Sequence, residues 1–146
     1  IGDLIVATKL CQHDLDITAF GHPNGYVPGG KVFVDSSKEL LEIAKKVAAN
    51  EKLKVIEGVI ATGDQFVHSN ERKEFIEKTF SADALEMEGA SVAVVCDSLN
   101  VPFFILRAIS DSANGEANFD FDEFLNSSAK ISSNYLVKIV DELIKK

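Results

Sequence analysis

Short apolar runs of strand type alternate along this chain with segments whose apolar residues recur every three or four positions. A sheet covered by helices buries both patterns at once. Residues 4–7 and 17–20 read as short strands. A helix is predicted over 36–49, where Ser36 and Glu39 make a capping-box pattern and Leu40, Ile43, Ala44 and Val47 share one face. Val55–Thr62 is β-rich and stops at Gly63-Asp64. A charged helix follows to about residue 79, with Phe75 and Ile76 turned inward and Arg72 left in solvent. Next come a strand at 82–85, a small-residue helix over 90–99 closed by Asn100, and the nearly all-apolar run 101–106. The last of these has the pattern of a central strand covered on both faces. The final helix is predicted over 122–144, with Phe121, Phe124, Leu125, Ser128, Ser132, Tyr135, Leu136, Ile139 and Leu143 along one stripe. The expected fold is therefore α/β.

A length of 146 residues fits one domain, and 46% apolar with 26% charged residues is ordinary globular composition, too apolar for a disordered chain. No run approaches the ~20 apolar residues that cross a bilayer. The net charge of −8 comes without a basic block, which argues against nucleic acid as a partner. Cys11 and Cys96 form no CxxC pair and are expected as reduced thiols, consistent with a cytoplasmic location. His13, His22 and His68 lack metal-binding spacing, and there is no GxGxxG or GxxxxGK[ST], so neither a metal nor a cofactor is expected. The chain opens as Ile1-Gly2-Asp3-Leu4-Ile5-Val6, a turn already running into a strand, which predicts a segment upstream.

Ligands of open α/β sheets bind beyond the carboxyl ends of strands. That rule selects 63–68, 86–89 and 107–114. Glu86 and Glu88 stand at a helix start, where acids gain about 0.3–1 kcal/mol from the dipole, or where a carboxylate could accept two neighbouring sugar hydroxyls. Asp111 caps a turn, or acts as a general acid if a dry crevice raises its pKa; Arg107 could instead hold it ionised. Phe66 packs, or stacks on a flat base.

Gly63-Asp64-Gln65-Phe66, Leu85-Glu86-Met87-Glu88-Gly89-Ala90, Val101-Pro102-Phe103 and Arg107-Ala108-Ile109-Ser110-Asp111 occur in this order in bacterial methylthioadenosine/S-adenosylhomocysteine nucleosidases. Asp16-Ile17-Thr18-Ala19-Phe20-Gly21 and Phe119-Asp120-Phe121-Asp122-Glu123-Phe124 fit the same family, so the chain resembles it over essentially its whole length. The resemblance implies a three-layer sandwich with a central mixed sheet, nucleoside phosphorylase-like. It makes 1–146 a single domain, the C-terminal two-thirds of the usual one. By similarity, Asp111 protonates N7 of a purine, supported by Ser110. Phe66 stacks on the base, the Val67 backbone reads its edge, and Phe121 closes over the site. Glu86, Met87 and Glu88 lie at the ribose, with Glu88 taking its hydroxyls. Ile17, Phe20 and Pro28 match positions that enter the neighbouring subunit's pocket in a homodimer.

The implied reaction is hydrolysis of an adenine nucleoside: methylthioadenosine, S-adenosylhomocysteine, 5′-deoxyadenosine or 6-amino-6-deoxyfutalosine. The family's water-positioning glutamate lies near its N-terminus and has no counterpart among residues 1–146. Two other readings stay open. One is a purine nucleoside phosphorylase using phosphate, although the chain has only Arg72 and Arg107 to hold it. The other is a module that binds adenine without turnover.

Overall fold

A computed structural model describes residues 2–110 and 121–145, with the side chains of 121–124 excepted. Its centre is the long strand β1 (Leu4–Gln12), buried at both ends of its run. Parallel to it lies β3 (Val55–Thr62), and parallel to β3 lies β4 (Ala84–Glu86). The other side of β1 is shared by two antiparallel partners: β2 (Val34–Asp35) at Lys9 and Leu10, and β5 (Leu106–Ala108) at residues 4–6. The sheet is mixed, and its three parallel strands end on one edge.

The register of β1 against β3 shifts between Ala7 and Lys9. The extra residue is Thr8, whose hydroxyl donates to Gly58 O at 3.1 Å. A one-residue bulge reverses which face each later side chain meets. Ile5 and Ala7 precede it, yet Leu10 follows them onto the same face, against Ala90 and Ala93 of α3 (Gly89–Ser98). On the other face, Leu4 packs with α1 (Lys38–Glu51) and α4 (Phe121–Ile144), while Cys11 and Ala61 meet Ile76 and Phe80 of α2 (Asn70–Phe80). Helices therefore cover both faces, giving the three layers.

Several elements differ from the sequence reading. Residues 17–20 are not a strand: Thr18–Phe20 is one 3-10 turn, begun by Asp16 Oδ1 accepting from Thr18 N and ended by Gly21 at φ 81°. Its side chains are largely exposed, so no sheet rewards extension there. Of 101–106, only Leu106 is strand, and β5 is a short edge piece rather than a central strand. The run is apolar because Phe103 and Phe104 plug opposite clusters from an irregular segment. Ser37, not Ser36, caps α1, accepting from Leu40 N, and Ser36 is buried. Residue 99 ends α3 one position before Asn100, which adopts φ 54°. The α4 stripe is narrower than predicted. Ser128, Tyr135 and Ile139 are buried, whereas Leu125 and Leu136 are exposed. Tyr135 anchors the helix by donating to Ala44 O at 2.8 Å.

Candidate active site

At the carboxyl edge of β3 and β4 lies an open cleft of about 760 Å³. Its lining includes Phe66, Val67, Glu86, Met87, Glu88 and Ser110, all six of the described residues expected to meet substrate. Phe66 is 72% exposed and Met87 43%, so among the described residues large apolar side chains stand at the mouth of the cleft without being buried. Asp111 and the side chain of Phe121 lie outside the described residues. Ile17, Phe20 and Pro28 are not in this cleft; they sit on the segment between β1 and β2, and Phe20 is 82% exposed.

Glu86 organises the floor. Its carboxylate accepts from the backbone N–H groups of Gly89 (2.7 and 2.9 Å) and Glu88 (3.1 Å), and so closes the N-terminus of α3. It also accepts from the Thr62 hydroxyl and the Arg107 guanidinium. Thr62 Oγ1 in turn accepts from Ala90 N at 2.8 Å, linking the end of β3 to the same helix turn. Burial pushes the Glu86 pKa up, but the hydrogen bonds from Thr62, Arg107, Gly89 and Glu88 outweigh it and hold the carboxyl below its usual range. Glu86 is thus an ionised, fully engaged group with its side chain only 10% exposed.

Glu88 is its opposite. It occupies the N-cap position of α3 but makes no side-chain cap bond. Its side chain is 67% exposed and is held by Arg107, which bridges both carboxylates. The sequence left Arg107 as a possible partner of Asp111; the structure gives it two glutamates. One carboxylate is spent on the protein, and the other is presented to the cleft with free lone pairs.

Two contributions were not legible in the sequence. Thr62 gave no signal beyond ending a strand. Arg72 was read as solvated, but it reaches under the sheet edge to donate to His13 O at 2.8 Å. A charged helix hid that role because one inward arginine does not alter the overall pattern. Along the outer wall, α2 adds Asn70, Lys73, Glu74 and Glu77 to the cleft. Among the described residues no cluster of His, Cys, Asp and Glu could hold a metal ion, and no helix is long and apolar enough to cross a membrane.

This architecture has known counterparts. The family model described as "Phosphorylase superfamily" matches residues 1–145. The chain belongs to the phosphorylase superfamily. Within that superfamily it is 55% identical over 143 residues to the aminodeoxyfutalosine nucleosidase of Campylobacter jejuni, covering 98% of this chain and 62% of the relative. The crystal structure of the 5′-methylthioadenosine/S-adenosylhomocysteine nucleosidase of C. jejuni superposes with a TM-score of 0.94 at 55% identity, over 97% of this chain and 62% of that one. A Helicobacter pylori nucleosidase bearing a D198N mutation, with 5′-methylthioadenosine in its active site, matches at TM-score 0.89 and 52% identity over 97% and 62% of the two chains. The chain therefore spans somewhat less than two thirds of the length of these relatives.

Proposed function

We propose that this chain carries the base- and ribose-binding part of an adenine nucleoside N-glycosidase, acting on methylthioadenosine, S-adenosylhomocysteine, 5′-deoxyadenosine or aminodeoxyfutalosine. The observation that carries the reading is the single cleft into which Phe66, Val67, Met87 and Glu88 converge. Its volume lies in the range that encloses a small ligand, and the similar nucleosidases supply the substrate class.

The chemistry follows from the leaving group. Breaking the glycosidic bond unaided would expel an adenine anion. Asp111 donates a proton to N7, so that neutral adenine departs, and Ser110 supports that carboxyl. Phe66 stacks on the base, and the Val67 backbone hydrogen-bonds its edge. As the bond breaks, the ribosyl group gains oxocarbenium character, and the Glu88 carboxylate at its hydroxyls lies where positive charge grows. Arg107 and Glu86 orient Glu88 from behind. Water adds from the other face of the sugar, activated by a group outside residues 1–146. Hydrolysis is favoured over phosphorolysis by the similarity to nucleosidases; within residues 1–146 Arg72 is engaged with His13 and Arg107 with Glu86 and Glu88, so this part contributes little to a phosphate site. Ile17, Phe20 and Pro28 complete the 5′ pocket of a second subunit in a homodimer.

The test is adenine release by the full-length protein from methylthioadenosine in phosphate-free buffer. Turnover that appears only when phosphate is added refutes hydrolysis. Asp111→Asn lowers kcat by on the order of 10²–10⁴ with KM little changed; an unchanged kcat removes Asp111 as the acid.

A further inference from the structure

Beneath the turn that carries Phe66 lies a buried imidazole with no part in the chemistry above. His13 follows β1 and is 3% exposed. Its backbone N–H donates to Thr62 O at 2.8 Å, aligning the ends of β1 and β3. Arg72 Nη2 donates to His13 O at 2.8 Å and also stands 3.3 Å from the ring atom Nδ1. A guanidinium only donates. Nδ1 must therefore offer its lone pair, which places the ring proton on Nε2, and Nε2 is buried without a partner among the described residues.

Gly63 packs flat on this ring. A Cβ there would collide with the imidazole and stand 3.0 Å from Asp14 Cγ. The turn is pinned on both sides of the ring: Asp64 N donates to Asp14 Oδ2 at 2.6 Å, and Gly63 N donates to Glu86 O at 3.2 Å. From there the chain runs to Phe66 and Val67, and Ser69 then caps α2, the helix that supplies Arg72. The seat is a closed loop of contacts with the ring at its centre.

That seat fits a neutral ring. A proton on Nδ1 would turn the acceptor facing Arg72 into a second cation and expel the guanidinium. Burial lowers the affinity of the ring for a proton, the Asp14 carboxylate raises it, Arg72 lowers it, and Glu86 from β4 raises it; the balance falls below the usual histidine value.

We infer that neutral His13 is a positioning residue for the nucleobase wall: it seats the 63–67 turn so that Phe66 and Val67 face the cleft, and protonating it unseats them. This rests on the reading that Phe66 and Val67 meet the base.

The chain contains no tryptophan, so Phe66→Trp places a reporter on the wall, with the unaltered full-length protein measured as the blank. Its emission and acrylamide quenching are followed as pH is lowered, alone and combined with His13→Asn, which keeps an acceptor for Arg72 and does not titrate. The expected result is a reversible change below pH 6.5 in the single variant and a flat response in the double variant. In the unaltered protein, KM for methylthioadenosine rises roughly tenfold per pH unit below the His13 transition while kcat changes far less. A flat reporter in both variants, the same acid response in both, or an acid limb in kcat alone overturns the inference. The unaltered protein supplies the last readout even if His13→Asn fails to fold. Added adenine separates this idea from the nucleosidase reading. A reporter that responds to acid but is not quenched by adenine supports the seat and refutes stacking at Phe66; quenching without an acid response does the reverse.

Discussion

Replacing Glu86 by Gln tests whether the two glutamates at the start of α3 have the separate duties their surroundings assign. The wild-type carboxylate serves Thr62, Arg107, Gly89 and Glu88 as a pure acceptor. An amide of the same shape has one accepting oxygen, and its NH2 must face a donor. Removing one partner of a buried ion pair costs about 3–5 kcal/mol. Arg107 is 33% exposed and retains Glu88, so the penalty is discounted for solvent to about 2–3 kcal/mol. With a urea m-value of about 1–3 kcal/mol/M, the unfolding midpoint falls by roughly 0.7–3 M. Glu88→Gln touches a side chain 67% exposed, and its stability cost stays under about 1 kcal/mol. On the ribose-binding role proposed for Glu88, the same change lowers kcat/KM by about 10–100-fold, from the ~1.5–3 kcal/mol of a hydrogen bond to a charged group.

The pH dependence gives this a sign. The folded pKa of Glu86 lies below the ordinary glutamate value of 4.5. Below 4.5 the unfolded chain binds the proton first, so the stability Glu86 contributes is present above that pH and is lost as pH falls through the folded pKa. Glu86→Gln flattens this acid limb and Glu88→Gln leaves it. Urea melts between about pH 7 and 3 measure both. A Glu86→Gln cost below about 1 kcal/mol, or equal costs for the two variants, refutes the division of labour.

Three further outcomes follow from the packing. Gly63→Ala forces a methyl into the His13 ring and destabilises by about 1–3 kcal/mol, read as a shifted melting temperature; wild-type stability would disprove the close approach. Burial pushes the Cys11 thiol up to about 12, so of the chain's two cysteines only Cys96 reacts with a disulfide reagent at pH 8 before unfolding. Tyr135→Phe removes the bond to Ala44 O and costs about 1 kcal/mol, with no change in turnover.

Patterns set by periodicity were readable from the chain. Val55–Thr62 and its stop at Gly63 were read with the bounds the structure has, because a β-rich run that Glu57 and Gly58 alone interrupt ends sharply at the turn residues Gly63 and Asp64. The cleft residues were readable because strand ends project side chains to one edge whatever the details. What escaped were features decided by tertiary partners. The run at 101–106 is as apolar as a strand, but Ser37 N takes Phe103 O and Ala7 N takes Ile105 O, so its carbonyls are used singly rather than in a ladder. Residues 17–20 carry strand-forming types, yet Asp16 captures Thr18 N and turns the chain first. Arg72 and His13 find each other across 59 positions, which no local window registers.

The bulge at Thr8 links these observations. Arg107 pairs with Ile5 near the start of β1, whereas Glu86 is in register with Thr62 and, through it, with Gln12 at the end of β1. In a flat sheet about seven residues at ~3.3 Å each would separate those levels, more than two side chains can bridge. Yet the Arg107 guanidinium touches Glu86. The sheet must therefore curl, and a bulge that sharpens local twist midway along the central strand is the device able to curl it. Deleting Thr8 would close the bulge and still keep Ile5, Ala7 and Leu10 on one face, so loss of the Arg107–Glu86 contact in that variant is the outcome that ties the contact to the bulge.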